Sequence, residues 1–223
     1  MLFYVGIVGG VMVDAILVGE KGLYCTGITF IIFSAIALSK FTIVRLFYLM
    51  WPIYIVTLII AGVSLIIASI GFYGGAKKFS TFPGSLAAAL SVLLGIGYIT
   101  MGSSLINLNA LLLGIGLTIV KTALFFYGFA TMYYFFEIKH GKFGGVGSIL
   151  ILLFSTSHHF FVFSAEFYKT LPGAIFTTIA SIGYILQGIS MRLSVSRPPH
   201  TRHAEHEEEK EEVPKRFPIT RPF

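Results

Sequence analysis

Charged residues are scarce in most of this chain, and their scarcity excludes a water-soluble body. The first 191 of the 223 residues contain only nine Lys/Arg and four Asp/Glu, whereas about a quarter of the residues in a soluble domain are charged. Water cannot solvate such a surface. In lipid every backbone polar group needs an internal partner, which restricts the spanning elements to helices or closed barrels. We therefore expect an integral membrane protein in a lipid bilayer, and we expect the bilayer to be the plasma membrane.

Cysteine is almost absent, and so are the local motifs of the common soluble enzymes. One cysteine, Cys25, excludes an internal disulfide. The sequence contains no Walker motif, no His-Glu-x-x-His and no cysteine pair, so we expect a protein that is not an enzyme. The net charge of +6 would suggest nucleic acid in a soluble protein. Here the basic residues flank apolar runs, which favours membrane topology and no nucleic acid.

The apolar runs predict an all-α, polytopic transmembrane bundle of seven helices, with six or eight as alternatives. A span needs about 20 apolar residues, and these runs are too long for the ten-residue strands of a membrane barrel. A turn at Glu20-Lys21-Gly22 is expected to separate the first two helices. The predicted helices are 2–19, 23–39, 52–75, 84–103, 105–136, 144–165 and 172–191.

The distribution of Lys and Arg near the predicted spans indicates the orientation. With the N-terminus outside, eight of these residues fall on the inner side and three on the outer side. Because basic residues concentrate in cytoplasmic loops, the sequence predicts an N-out, C-in topology. Residues 1–191 form the predicted transmembrane domain. Residues 192–223 hold 13 of the 26 charges and several prolines, a composition typical of a disordered cytoplasmic tail.

Two predicted helices share a short sequence that suggests an internal repeat. Residues 67–71 and 179–183 both read Ile-Ala-Ser-Ile-Gly. One interpretation is a 3+1+3 arrangement, in which helices 1–3 and 5–7 form parallel repeats around helix four, as in some transporters. The other is chance similarity between two apolar helices.

Ionisable residues inside lipid are costly and are therefore functional candidates. His159 shares a helix face with polar residues one turn before it and two turns after it, a stripe that suits a hydrated path, a proton relay or a metal site. The alternative for each candidate is structural, such as a lysine that extends to the interface. The candidates are Asp14, Lys121, Ser155, His158, His159 and Glu166.

The stretch from Ser155 to His159, followed by Glu166-Phe167-Tyr168, is similar to the copper-binding His-His helix of haem-copper oxidase catalytic subunits. This resemblance implies a metal or haem held by His158 or His159. Those enzymes also need histidines on several other helices, and outside the tail this chain has only His140 besides the pair. The sequence therefore requires no cofactor, and a haem- or metal-binding redox subunit is an alternative function.

Small residues at four-residue spacing allow helix backbones to approach closely, either inside the bundle or between subunits. The leading functional hypothesis is a non-catalytic subunit of a larger membrane complex, with other membrane subunits as partners and the tail as a docking arm. The alternative is a small transporter or channel whose path passes Asp14, Lys121, His159 and Glu166. The predicted packing residues are Ala87, Ser91, Gly95, Gly173, Thr177 and Ser181.

Overall fold

The computed structural model describes residues 2–42, 50–138, 141–161 and 171–196, with side chains over 10–39, 50–138, 141–156 and 171–196. Five of its six helices are long and apolar enough to cross a membrane, as in an integral membrane protein. The remaining helix, α5 in the order given below, is shorter. The described residues contain six helices, so the predicted seven are not confirmed. They are α1 Leu2–Thr42, α2 Trp51–Phe79, α3 Phe82–Ile106, α4 Ala110–Glu137, α5 Lys142–Phe161 and α6 Leu171–Ser196.

The first two predicted helices are one continuous helix, and the expected turn at Glu20-Lys21-Gly22 is wrong. Helix α1 runs unbroken through this sequence. Glu20 is buried and forms an ion pair with Arg192 of α6, which lowers the cost of placing a carboxylate there. Gly22 packs against the backbone of Ala68 in α2. The charge and the glycine that resemble a turn therefore serve contacts with other helices.

The predicted fifth helix begins too early, because α3 continues to Ile106 and a turn at residues 107–109 precedes α4. Leu108 adopts a left-handed conformation with φ of 50°, which is rare for a residue with a side chain. The Asn109 side chain caps α4 by accepting a hydrogen bond from the Leu112 N–H at 3.1 Å. At the other end of the fold, α6 continues to Ser196, past the predicted domain boundary at 191.

The six described helices form a closed ring. Each helix packs on its neighbours in the chain, and α1 also packs on α6. Glycine allows close approach at all six of these contacts: a Cβ added at Gly71, for example, would lie 2.6 Å from the Gly19 Cα. Around the ring the contacts are Gly19 with Gly71, Gly62 with Gly95, Gly97 with Val120, Gly128 with Leu152, Gly147 with Gly183, and Gly27 with Ser181.

The start of α1 and the finish of α6 lie at the same end of this ring, which we call the N/C end. Glu20 contacts Arg192 at 3.2 Å, and Gly188 packs on the ring of Tyr24. The predicted N-out, C-in orientation, which requires an odd number of spans, is not confirmed by the six described helices.

A 3+1+3 repeat also does not fit, since it requires two helices where α1 stands alone. The two Ile-Ala-Ser-Ile-Gly sequences lie in α2 and α6, and both helices flank α1. Ala68 of the first sequence packs on Gly22, and the Ser181 carbonyl of the second lies near Gly27. Both segments therefore contain small residues for the same reason, which is that each packs closely on α1.

Substituting Gly71 tests whether close backbone contact holds the ring. We expect Gly71→Leu to destabilise the protein by about 1–3 kcal/mol, because its side chain would overlap the α1 backbone. The measurement is reversible unfolding in mixed micelles with increasing sodium dodecyl sulfate.

Gly10→Leu is the matched control, since Gly10 lies on exposed α1 surface and an added Cβ there meets no atom within 4 Å. Equal unfolding midpoints for the two variants would contradict this account of the ring.

Candidate functional site

Aromatic side chains from five helices fill the middle of the ring. Phe30 of α1 packs on Tyr98 of α3, with ring centroids 5.2 Å apart, and on Tyr184 of α6 at 5.7 Å. Phe72 of α2 packs on Tyr127 of α4 at 5.9 Å. All five side chains are at most 2% exposed, so the interior of the described bundle is a packed core.

One polar cluster lies within this core, and it joins α4, α5 and α6. The Tyr127 hydroxyl donates to Oε1 of Gln187 at 2.7 Å. The Gln187 Nε2 donates to Thr131 Oγ1 at 3.0 Å and to Ser148 Oγ at 2.9 Å. All four side chains are fully buried. We call these four residues the Gln187 cluster.

The hydroxyls of the Gln187 cluster also have partners. Thr131 donates to the Tyr127 carbonyl at 2.9 Å, and Ser148 donates to the Gly144 carbonyl at 2.8 Å. Every polar atom of the Gln187 side chain is therefore bonded, as buried polar groups require. An amide and three hydroxyls are poor proton carriers near neutral pH, so this arrangement fixes the relative positions of three helices instead of performing acid–base chemistry.

The second polar feature closes the ring between α1 and α6. Arg192 Nη1 donates to Glu20 Oε1 at 3.2 Å. The two partners differ in environment, because the Glu20 side chain is 5% exposed and that of Arg192 is 67% exposed. The carboxylate thus depends on the guanidinium for its charge partner, whereas most of the guanidinium side chain is exposed.

The structure does not bring Asp14 and Lys121 together. Asp14 is exposed, and its neighbour Ala15 packs on Gly74 near the N/C end. At that end Gly75 packs on Tyr134 of α4. Lys121 precedes Tyr134 by thirteen residues, which is about 20 Å along a helix. A direct Asp14–Lys121 pair is therefore excluded in this structure.

The predicted histidine stripe is only partly described. Ser155 is buried, and His158 and His159 lie in the last turn of α5, but their side chains and Glu166 are outside the described residues. Leu152 of α5 packs on Gly128 of antiparallel α4. Since His159 and Lys121 each lie seven residues from this contact, their backbones have similar depth.

The predicted packing residues all lie buried in the ring. Gly95 faces Gly62 of α2, and the Ser181 carbonyl lies beside Gly27 of α1. The Thr177 hydroxyl donates to the Gly173 carbonyl at 2.7 Å, so its polar group is bonded within α6. Ala87 and Ser91 are also fully buried. The described surroundings of these residues are helices of the same chain.

Sequence reasoning missed Gln187, although the composition contains a signal. Gln187 is the one glutamine among 223 residues, and it lies in an apolar helix. A polar amide there requires partners, which marks the residue without revealing what they are. Tyr127 was also missed, because nothing in the sequence distinguishes a hydrogen-bonded tyrosine from the many other aromatic residues.

Comparisons with known proteins and the described side chains assign no cofactor. Among the side chains described in the structure, no three His, Cys, Asp or Glu residues form a group that could hold a metal ion. Comparison with protein-family models, curated proteins and solved structures found no match.

Arg192 and Glu20 provide a test of ring closure. We expect Arg192→Gln to lower the free energy of unfolding by about 1–3 kcal/mol, because it leaves a buried carboxylate without its opposite charge. Adding Glu20→Gln should recover part of this loss. The measurement is unfolding in mixed micelles, and a double variant less stable than Arg192→Gln would contradict the account.

The Gln187 cluster provides a second test. We expect Gln187→Leu to cost about 1–3 kcal/mol, because the buried Tyr127 hydroxyl loses its acceptor. In a double-mutant cycle with Tyr127→Phe, the two changes should be non-additive by about 0.6 kcal/mol or more. Strict additivity would show that the hydrogen bond does not couple α4 and α6.

Proposed function

We propose that this chain is a non-catalytic subunit of a larger membrane complex, and that a transmembrane helix of a partner subunit packs on the outer half of α4. We define this outer half as residues 110–119, at the end of the bundle opposite the N/C end. One observation carries the proposal: among the candidate spans in the described residues, α4 has the smallest buried share. In its most apolar window 28% of α4 is buried, against 44–61% in the other four.

The exposed face of α4 has the shape that helix packing in lipid requires. Ala110, Gly114 and Thr118 lie at four-residue spacing on this face, and all three are exposed. With Leu111 and Ile115 they line a shallow groove. A Cβ added at Gly114 would meet no atom within 4 Å. Small residues let a second backbone approach closely. This face therefore allows closer packing of an apolar helix than a face with bulky side chains would.

The Thr118 hydroxyl does not oppose this packing. It donates to the Gly114 carbonyl at 2.9 Å, so the groove presents no unbonded hydroxyl to an apolar partner. Leu111 is 74% exposed and Ile115 is 45% exposed. These two side chains supply apolar area beside the groove, which supports van der Waals contact with the partner helix.

The orientation that accompanies this proposal places both termini in the cytoplasm. Lys77, Lys78, Lys142 and Arg192 lie at the N/C end of the described bundle, and basic residues favour the cytoplasmic side. The tail beyond α6, residues 197–223 with its charges and prolines, then lies on the cytoplasmic side. There it serves as a docking arm, a second attachment to the partner.

The test compares two glycines with equal space around them. We expect the wild-type chain to leave membranes in mild detergent as a complex larger than its own 24.5 kDa plus micelle. Gly114→Leu should reduce that complex at least about tenfold, since a leucine fills the groove and a loss of about 1.4 kcal/mol is tenfold in affinity. Size-exclusion chromatography with light scattering measures the mass.

Gly10→Leu is the control, because Gly10 is the other described glycine with open space around an added Cβ, and it should leave the complex intact. A photocrosslinker at Leu111 should label the partner, while one at lipid-facing Val63 of α2 should not. A lone chain in mild detergent, or an unchanged complex in Gly114→Leu, would refute the proposal.

A further inference from the structure

The corner where α2 turns into α3 combines two lysines with three aromatic rings, of which Tyr73 and Phe82 are exposed and Phe79 is half-buried. Lys77 Nζ lies 5.5 Å from the ring centroid of Tyr73, and Lys78 Nζ lies 5.3 Å from that of Phe79. Each ammonium is thus within the range of a cation–π contact. Phe82 begins α3 and is 78% exposed. We call these five residues the α2–α3 corner.

The corner lies at the boundary of the apolar bundle. It belongs to the N/C end, where Gly84 of α3 packs on Ala76 of α2. The described turn at the opposite end, Asn107-Leu108-Asn109, carries no charge. Exposed aromatic rings beside lysines are typical of the depth at which headgroups meet hydrocarbon. The rings hold one side of each ammonium and leave its remaining N–H groups free to bind.

We propose that the α2–α3 corner binds the headgroup phosphates of anionic phospholipids. Both lysines are exposed, and an ammonium binds phosphate as a compact point charge. A lysine near an anionic bilayer surface contributes about a fivefold preference, so two adjacent lysines give about 25-fold. Neutral residues flank them from Phe79 to Leu86, so no acidic side chain in this stretch competes for the ammonium groups.

A rival occupant is the acidic block of the tail, residues 205–212, which contains six glutamates. The lipid is favoured because each ammonium lies beside an aromatic ring, a combination typical of the interface between headgroups and hydrocarbon. This inference requires only that the bundle lies in a membrane, and it does not depend on α4 or its partner. The experiment is designed to separate the two occupants.

The experiment uses a tryptophan reporter in the full chain. The single native tryptophan, Trp51, is changed to Phe, and Phe82→Trp places an indole ring at the corner. The protein is reconstituted in phosphatidylcholine vesicles that contain a minority of phosphatidylglycerol, with bromine on one lipid type at a time. We expect brominated phosphatidylglycerol to quench the fluorescence of the introduced indole far beyond its share of the lipid.

Two double variants with equal charge loss identify the residues that bind. Lys77→Gln/Lys78→Gln should abolish the preference, so that quenching follows the bulk lipid ratio. Lys21→Gln/Lys142→Gln removes the same charge from exposed positions near the same end, and it should retain the preference.

Three outcomes would overturn the proposal. The first is equal quenching by both lipids in the reporter protein with all lysines intact, which shows that the corner has no lipid preference. The second is an equal loss in both double variants, which indicates a diffuse field instead of a site. The third is a preference that appears only when the six tail glutamates are changed to glutamine, which assigns the corner to the tail.

Discussion

Close approach of helix backbones is the constraint on which this structure depends. In lipid no hydrophobic force draws apolar helices together, because the surrounding tails are as apolar as the helices. Association therefore relies on packing contacts that only small residues permit. Each of the six neighbouring pairs in the described ring contains a glycine at such a contact, from Gly19 with Gly71 to Gly147 with Gly183. Glycines lie at the contacts between neighbouring helices, and bulky aromatic side chains fill the space that the ring encloses.

Polar groups are placed in accordance with that packing. The Gln187 cluster lies where α4, α5 and α6 meet, and its hydrogen bonds are satisfied within the chain. Glu20 is buried at the contact between α1 and α6, where Arg192 reaches it. Dispersion contacts alone do not fix the position of one helix along another. The hydrogen bonds and the ion pair do, because they depend on direction and distance. Packed aromatic rings occupy the centre of the described bundle.

The outer surface is uneven in a way that suits a subunit. Most lipid-facing positions carry large apolar side chains, but the outer half of α4 presents Ala110, Gly114 and Thr118. The two tight turns differ as well, since one follows Lys77 and Lys78 whereas the other is uncharged. The proposed helix contact and the proposed headgroup contact therefore use separate parts of the fold.

The sequence by itself determined that this is a helical membrane protein and where most helices lie. The reason is that the free energy of transferring a segment of about 20 residues into lipid depends mainly on the residues of that segment. It did not determine that α1 is continuous, that Gln187 is a centre of hydrogen bonding, or that the start of α1 and the end of α6 lie at one end of the bundle. Only the tertiary structure decided these points. The cost of burying Glu20 depends on Arg192, a partner 172 residues away, and the effect of a glycine depends on which backbone it faces. Hydropathy is a sum over residues adjacent in sequence, so it includes neither the distant charge partner of Glu20 nor the backbone that a glycine faces.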